Sequence, residues 1–159
     1  MAPHQKQENN FSSNPYVVHT MCDRAEPLTS NIAKKFFEPG CGDGAFLVEV
    51  INRRLENTHH YLQKILIAVS NIHALDINPR KVIHARAQLF KQIQSYTKND
   101  IIKNYRFWPN IEHILQHNII CADYLKNHEA IFFYDWSIDE QENLSAKKYS
   151  LDSLLKNKI

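Results

Sequence analysis

The chain has 159 residues, and 19 lysines and arginines stand against 17 aspartates and glutamates, so the formal net charge is only +2. So weak a field argues against strong nonspecific binding to nucleic acid phosphates. The hydrophobic fraction of 43% suits the core of one soluble domain. The sequence has no membrane-spanning apolar run, and its polar start lacks the apolar stretch of a signal peptide. We therefore expect a cytoplasmic protein with no membrane partner.

Taken in chain order, residues 1–13 are polar and predict a mobile tail before a single domain at 14–159. Apolar residues at 17, 18 and 21 predict a helix entered through Pro15. The following elements are predicted by apolar periodicity, with Pro79 opening the last of them: a strand at 34–38, helices at 44–55 and 61–69, a strand at 73–77 and a helix at 79–96.

The second half of the chain gives a weaker pattern. The stretch 97–109 is polar and aromatic without strong periodicity. Residues 117–121 and 130–136 predict a third and a fourth strand, and residues 149–155 a final short strand or helix. Strands alternating with helices imply an α/β fold with a mainly parallel sheet and helices on both faces.

All three glycines lie in one pentapeptide, Gly40-Cys41-Gly42-Asp43-Gly44, between a predicted strand and a predicted helix. Average usage of about 7% would scatter roughly eleven glycines through a chain of this length. Glycine allows positive φ in a tight turn and lets a ligand approach the bare backbone. The helix start that follows favours an anionic or strongly polar ligand. The loop is therefore predicted to bind a cofactor.

Three carboxylates, Glu38, Asp76 and Asp123, stand at the ends of the first three predicted strands. The carboxyl ends of parallel strands line the ligand crevice of such folds. Asp76 suits a ribose diol, and Asp123 suits an amine such as that of adenine. The alternative is that each carboxylate is satisfied by the cap of a neighbouring helix.

A nicotinamide cofactor is the first candidate ligand, because Gly40-x-Gly42-x-x-Ala45 formally satisfies a dinucleotide fingerprint. The acidic residue expected about 20 positions later is missing, however, and Asp76 comes only after a long helical hairpin. The charge of Glu38 beside the loop would also repel a pyrophosphate. These points favour a ligand that carries an ammonium group and a ribose.

Several segments together resemble the adenine-N6 DNA methyltransferases of restriction-modification systems. Residues 37–47, Phe-Glu-Pro-Gly-Cys-Gly-Asp-Gly-Ala-Phe-Leu, resemble their first S-adenosylmethionine-binding motif. Residues 74–79 resemble the second motif and residues 121–125 the third. Residues 14–21 are a degenerate match to the element that precedes the first motif and closes over the methionine, and residues 132–155 resemble the sequence after the third motif in some short members.

The resemblance implies a Rossmann-like methyltransferase fold that binds S-adenosyl-L-methionine and transfers its methyl group to a flipped adenine in a specific DNA site. Glu38 and the Gly40–Gly44 loop would surround the methionine part. Asp76 would hold the ribose, Ile77 would pack on the adenine ring, and Asp123 would accept from the adenine amine. The full set that it implies for the cofactor is Glu38, Pro39, Gly40, Cys41, Gly42, Gly44, Asp76, Ile77, Asp123 and Tyr124.

The family's catalytic Asn/Asp-Pro-Pro-Tyr/Phe motif is missing after the third motif, so no catalytic residue is assigned. The only Asn-Pro-Tyr, at 14–16, lacks the second proline and stands where the cofactor-closing element belongs. The chain is also short for a complete methyltransferase sheet with a target-recognition region. We therefore expect a cofactor-binding half whose catalytic half lies on a second subunit, is lost, or was never present. The alternatives are a non-catalytic relic, a regulatory cofactor-binding module, or a methyltransferase with a non-DNA acceptor.

The remaining polar and aromatic residues have more ordinary interpretations. The cysteines, Cys22, Cys41 and Cys121, are interpreted as free thiols in a reducing compartment, and the nine histidines show no spacing typical of metal ligands. The basic pairs are interpreted as solvated faces rather than DNA contacts, and the aromatic cluster as a buried strand rather than a base-stacking surface. These groups are Arg53 with Arg54, Arg80 with Lys81 and Arg86, Lys147 with Lys148, and Phe132, Phe133, Tyr134 and Trp136.

Overall fold

The computed structural model describes residues 13–97, 105–141 and 143–156. The described helices are α1 (Pro15–Arg24), α2 (Ala45–Glu56), α3 (Leu62–Ser70), α4 (Pro79–Thr97), α5 (Phe107–Asn118), α6 (Tyr124–Asn127) and α7 (Leu151–Lys156). The described strands are β1 (Phe36–Pro39), β2 (Ile72–Asp76), β3 (Ile119–Cys121), β4 (Phe132–Ile138) and β5 (Leu144–Ser150). None of the described helices is long and apolar enough to cross a membrane.

A three-strand parallel sheet with order β1-β2-β3 confirms the predicted α/β class in this coarser form. Phe36 pairs with Ile72, and Ala74 pairs with Ile119, so β2 is the middle strand. Its first four residues are buried, as expected for a strand covered on both faces. Helices α2 and α4 lie within one residue of their predicted boundaries, and α1 begins at Pro15 as predicted.

The fourth predicted strand does not join the parallel sheet. Instead, β4 pairs with β5 in a separate antiparallel hairpin, with Phe133 opposite Tyr149 and Ile138 opposite Leu144. Asp139 closes the turn, because its Oδ1 accepts from the backbone N–H groups of Gln141 and Asn143. The expectation of one mainly parallel sheet was therefore wrong for this part of the chain, where a short turn favours antiparallel pairing.

The third strand and the end of the chain also differ from prediction. Residues 117 and 118 belong to helix α5, so β3 has only three residues. Helix α5 begins inside the stretch that showed no clear periodicity, and residues 98–104 of that stretch lie outside the described residues. Residues 144–150 form a strand and 151–156 a helix, where the prediction left both options open from 149 onward. The predicted tail at 1–13 lies outside the described residues except for Ser13.

Helices flank the sheet and supply most of the core. Helix α2 packs against α1 and α4, and α3 packs against α5. Helix α1 begins at a cap in which Asn14 Oδ1 accepts from Tyr16 N, and it buries Val18 and Cys22 against the core. The three cysteines are free thiols, as predicted. The fully buried aliphatic side chains at the centre include Leu47, Val50, Ile51, Ile65, Leu66, Leu89 and Ile93.

The arginine pair of α2 is not a solvated face, so that interpretation was wrong. Arg54 is fully buried. Arg53 donates to the carboxylates of Asp23, Glu26 and Glu49 at distances of 2.7, 3.0 and 2.8 Å. Both guanidinium groups therefore hold the fold together and are not available as a patch for DNA phosphates.

The hairpin docks on the sheet through His73 of β2. The buried His73 Nε2 lies 3.3 Å from the carbonyl oxygen of Tyr134 and 3.1 Å from the hydroxyl of Tyr149. Phe133 meets the His73 ring edge-on with centroids 5.2 Å apart. Burial lowers the pKa of His73 to about 4, and no partner for Nδ1 is found among the described residues. His73 is therefore neutral near pH 7 and joins the two sheets.

Candidate functional site

The glycine loop forms a tight turn between β1 and α2. Cys41 N donates to Leu75 O at 2.9 Å, which holds the loop against the end of β2. Gly44 N donates to Cys41 O at 2.9 Å and closes the turn. The φ angles are +52° at Gly42 and +91° at Gly44, in a region that side chains disfavour. The predicted use of glycine for backbone geometry is confirmed.

Gly44 also marks a close approach between the loop and α4. A Cβ at this position would lie 3.0 Å from Cα and Cβ of Ala85, whereas a Cβ at Gly42 would meet no atom within 4 Å. The loop and the start of α2 thus pack directly on the backbone of α4. The third glycine is required by packing as well as by its dihedral angles.

We expect Gly44→Ala to destabilise the protein by about 2 kcal/mol, through left-handed strain and the contact with Ala85. Gly42→Ala is the matched control, because it carries the strain without the contact and should cost about 1 kcal/mol. Urea unfolding of both variants measures the difference. Equal losses would contradict the packing role of Gly44.

Asp76 links the loop to the neighbouring strand ends. Its Oδ2 accepts from Gly42 N at 2.9 Å, and its Oδ1 accepts from Asn78 N at 2.8 Å. Its backbone oxygen accepts from Ala122 N at 3.1 Å, just after β3. Asp76 therefore organises the carboxyl edge of the sheet, and the amide of Gly42 is a partner that the sequence did not reveal.

Glu38 carries an unpaired carboxylate beside the loop. Its Oε2 is buried and has no hydrogen-bond partner among the described residues. Burial raises the pKa of Glu38 to about 7, so a large part of it is protonated at neutral pH. A buried acceptor without a donor is unfavourable in a folded protein. It is the atom of this site that most lacks a partner, and a ligand donor would satisfy it.

An exposed apolar side chain, Ile77, lies at the edge of the site. The Ile77 residue is 69% exposed, although it directly follows the buried strand β2. Pro39 and Gly40 are also exposed, whereas Cys41 points into the core and burial raises the pKa of its thiol to about 12. Cys121, at the end of β3, donates its thiol to Ile77 O at 3.5 Å. The exposed face of Ile77 is thus fixed next to Asp76.

Asp123 has the arrangement that the cap alternative described. Its Oδ1 accepts from Leu125 N and Lys126 N at 3.0 and 3.2 Å and caps helix α6. Its Oδ2 lies 3.6 Å from Nζ of the exposed Lys126. Tyr124 turns toward Phe37, with ring centroids 6.3 Å apart. Asp123 lies at the same sheet edge, two residues after the strand that pairs with Asp76.

The structure thus brings Glu38, the glycine loop, Asp76 and Ile77 together at the carboxyl ends of β1 and β2, while Asp123 and Tyr124 serve local packing and capping. Among the described residues, no group of three or more potential metal ligands is found. A comparison with protein-family models, with curated proteins and with solved structures found no match in any of the three.

Proposed function

We propose that this edge of the sheet binds S-adenosyl-L-methionine, and that the chain is the cofactor-binding part of a DNA adenine-N6 methyltransferase of the restriction-modification type, with a Rossmann-like arrangement around the loop. The observation that carries the proposal is the carboxylate of Asp76, which ends the middle strand and is tied to the amide of Gly42. A glycine loop and a strand-end acid side by side suit a ligand with a ribose.

The residues present fit the cofactor. Each carboxylate oxygen of Asp76 accepts one backbone N–H and keeps a further lone pair for a ribose hydroxyl. Ile77 offers an exposed apolar face to the adenine ring. The buried Oε2 of Glu38 lacks a donor, and the ammonium group of the cofactor would supply one. A pyrophosphate in the same place would be repelled by the negative charge of the Glu38 carboxylate.

When bound, the cofactor supplies an electrophilic methyl group. In this proposal Glu38 orients the methionine end, Asp76 holds the ribose and Ile77 fixes the adenine plane, so the chain contributes positioning to the transfer. The residues that bind the target adenine come from a second subunit, and DNA is the shared substrate. A neighbouring reading frame that begins with Asn-Pro-Pro-Tyr would support this split arrangement.

Calorimetric titration of S-adenosylmethionine tests the proposal. We expect saturable micromolar binding that Asp76→Ala weakens by about 1 to 3 kcal/mol, since ribose hydroxyls would lose their acceptor. Asp43→Ala is the matched control, because Asp43 lies in the same loop and is exposed. Its Oδ1 lies at a long distance of 4.0 Å from Nδ1 of His84. NAD should not bind.

Two results would contradict the proposal: NAD binding as tight as that of S-adenosylmethionine, or equal effects of the Asp43 and Asp76 substitutions. Asp76→Asn, which keeps one acceptor oxygen, separates loss of the ligand contact from loss of the loop bonds. Thermal melting of each variant shows whether the loop still folds.

The missing Asn-Pro-Pro-Tyr motif favours one second candidate, a module that binds the cofactor without chemistry. Such a module would bind S-adenosylmethionine and transfer no methyl group to DNA, with or without a second subunit. Transfer to a non-DNA acceptor that Asp76→Ala abolishes would identify a different methyltransferase. Radiolabelled methyl transfer with DNA, and with cell extract as acceptor, distinguishes these cases.

A further inference from the structure

The β4–β5 hairpin packs one face against helix α5. Phe133 is fully buried against the sheet, and Phe132 is 41% exposed. Tyr134 and Trp136 are half-buried, with their rings against those of two histidines of α5. The interpretation of these aromatic residues as a buried strand is therefore confirmed for Phe133 and, in part, for Tyr134 and Trp136.

The two histidines of α5, His113 and His117, form a pair of imidazoles on one face of the helix. They lie four residues apart, and their ring centroids are 4.3 Å apart. The ring of Tyr134 meets His117 edge-on at 5.3 Å, and that of Trp136 meets His113 edge-on at 5.4 Å. Trp136 is itself fixed by a hydrogen bond from its Nε1 to Asn118 Oδ1 at 2.8 Å. The packing therefore restricts the orientation of both imidazoles.

Both imidazoles can reach a ligand in solvent. His117 Nδ1 lies 2.8 Å from the carbonyl oxygen of His113, so Nδ1 carries the proton and Nε2 keeps a lone pair. Among the described residues, the buried side-chain polar atoms without a partner are Glu38 Oε2 and His73 Nδ1, so the unbonded Nε2 of His117 is open to water. His113 is exposed and lines a cleft of about 390 Å³ between α5 and the end of the hairpin.

The separation of the two rings suits one shared metal ion. A metal–nitrogen bond of 2.0 to 2.1 Å places each ring centre about 3.2 Å from the ion, so two imidazoles in adjacent coordination positions have centres about 4.5 to 5 Å apart. The observed 4.3 Å is close to this range. Histidines that bind metals commonly donate their other ring N–H to a backbone carbonyl, as His117 does to His113.

We propose that His113 and His117 bind one divalent transition metal ion of the class that prefers imidazole, such as Ni²⁺, Cu²⁺ or Zn²⁺. Two imidazoles leave further coordination positions for water or for a ligand from another molecule, so the site is exchangeable and not a closed structural site. The described residues contain no group of three potential metal ligands, so the sequence gave no familiar metal motif here. The geometry of the two rings carries the proposal.

This metal site goes beyond the proposed cofactor-binding function. His117 lies just before β3, so the pair is near the amino ends of the parallel strands, at the edge opposite to the glycine loop. The two sites share no residue. Metal ions titrated without S-adenosylmethionine therefore report on this pair alone, and failure of either proposal leaves the other intact.

Calorimetric titration of the untagged full chain with Ni²⁺ at pH 7.5 tests the proposal. We expect one Ni²⁺ per chain to bind with a dissociation constant of about 1 to 100 μM, more tightly than Mn²⁺, and Mg²⁺ not to bind. His113→Gln and His117→Phe should each weaken Ni²⁺ binding about tenfold or more, because a single imidazole cannot chelate. His117→Phe keeps a ring against Tyr134, and thermal melting shows that each variant is folded.

His59 and His60 supply the matched control, because they are also two exposed histidines close together in the chain. Both have positive φ angles, which asparagine tolerates, so the double substitution His59→Asn and His60→Asn removes two imidazoles with little strain. It should leave Ni²⁺ binding unchanged, as should Cys121→Ser at the exposed thiol.

Four results would overturn the proposal. They are no one-to-one binding of Ni²⁺, an equal loss in the control variant, Mg²⁺ binding as tight as that of Ni²⁺, or a loss from only one of the two substitutions in α5.

Discussion

Arg54→Ala should lower the free energy of unfolding by about 4 kcal/mol, because it leaves several buried carbonyls without a charged donor and opens a cavity. The buried guanidinium donates to the carbonyl oxygens of Lys34, Ala68 and Thr29 at 2.6, 3.2 and 3.4 Å. Burial lowers its pKa to about 10. Arg54 thus ties α2 to α3 and to the segment that enters β1.

Two further substitutions make this prediction specific. Arg54→Met fills the space without donors and should still lose about 2 kcal/mol, which isolates the carbonyl bonds from the cavity. Arg53→Ala removes the neighbouring arginine, whose partners are carboxylates near the surface, and should cost only about 1 kcal/mol. Urea unfolding measures all three variants. A loss at Arg53 as large as that at Arg54 would contradict the assigned role.

The sequence predicted those parts of the fold in which one signal dominates. The glycine pentapeptide, the proline starts of α1 and α4, and the acid at the end of β2 all lie where they were expected. Each reflects a local requirement, such as positive φ, a missing N–H or a strand end, that does not depend on distant residues. Most of the elements that frame the candidate site belong to this group.

Some signals were present in the sequence and were not used. Arg54 lies three and seven residues after Ile51 and Leu47, on the apolar stripe of α2, so its burial could have been predicted from helical periodicity. In α5, Phe107, Ile111, Ile114 and Leu115 also follow helical spacing. Pro109 is compatible with this helix, because it lies in the first turn, where its missing N–H leaves no bond unmade.

The remaining features depend on tertiary contacts. Residues 144–150 include one leucine, one alanine and one tyrosine among polar side chains, so nothing local indicates a strand, and pairing with β4 is required to form it. The unpaired Oε2 of Glu38 also results from the surrounding elements, since spacing does not show which oxygen is buried. Capping by Asp123 was one of two alternatives that the sequence left open.

Glu38→Gln should stabilise the protein at pH 8 and destabilise it by about 1 kcal/mol at pH 4.5, where Glu38 is protonated and only the cost of the buried amide remains. Burial raises the folded pKa of Glu38 from 4.5 to about 7, so the folded state holds this proton more tightly than the unfolded state. The stabilising contribution is therefore complete below pH 4.5 and is lost as the pH rises to 7, a loss of about 3 kcal/mol. A buried glutamine amide without a hydrogen-bond partner costs about 1 kcal/mol, so the free energy of unfolding should rise by about 2 kcal/mol at pH 8.

His73 gives the opposite slope and must be separated from this effect. Its folded pKa of about 4 lies below the ordinary value of 6.5, so its contribution is complete above pH 6.5 and is lost as the pH falls toward 4. The Glu38→Gln variant should therefore lose stability on acidification more steeply than the parent protein. Urea unfolding at pH 5, 6.5 and 8 measures this, and Glu56→Gln, at an exposed position on α2, is the control. A difference between variant and parent that is independent of pH would contradict the buried state of Glu38.

The same substitution should weaken S-adenosylmethionine binding while it stabilises the free protein. In the proposed site an ammonium group beside Glu38 favours the ionised carboxylate, so binding at pH 6 should release close to one proton, and binding at pH 7.5 much less than one. Calorimetry in two buffers of different ionisation enthalpy counts these protons. If proton release persists in Glu38→Gln, another group releases the proton. If the release is lost and binding is weaker, Glu38 binds the ligand and lowers the stability of the free protein at neutral pH.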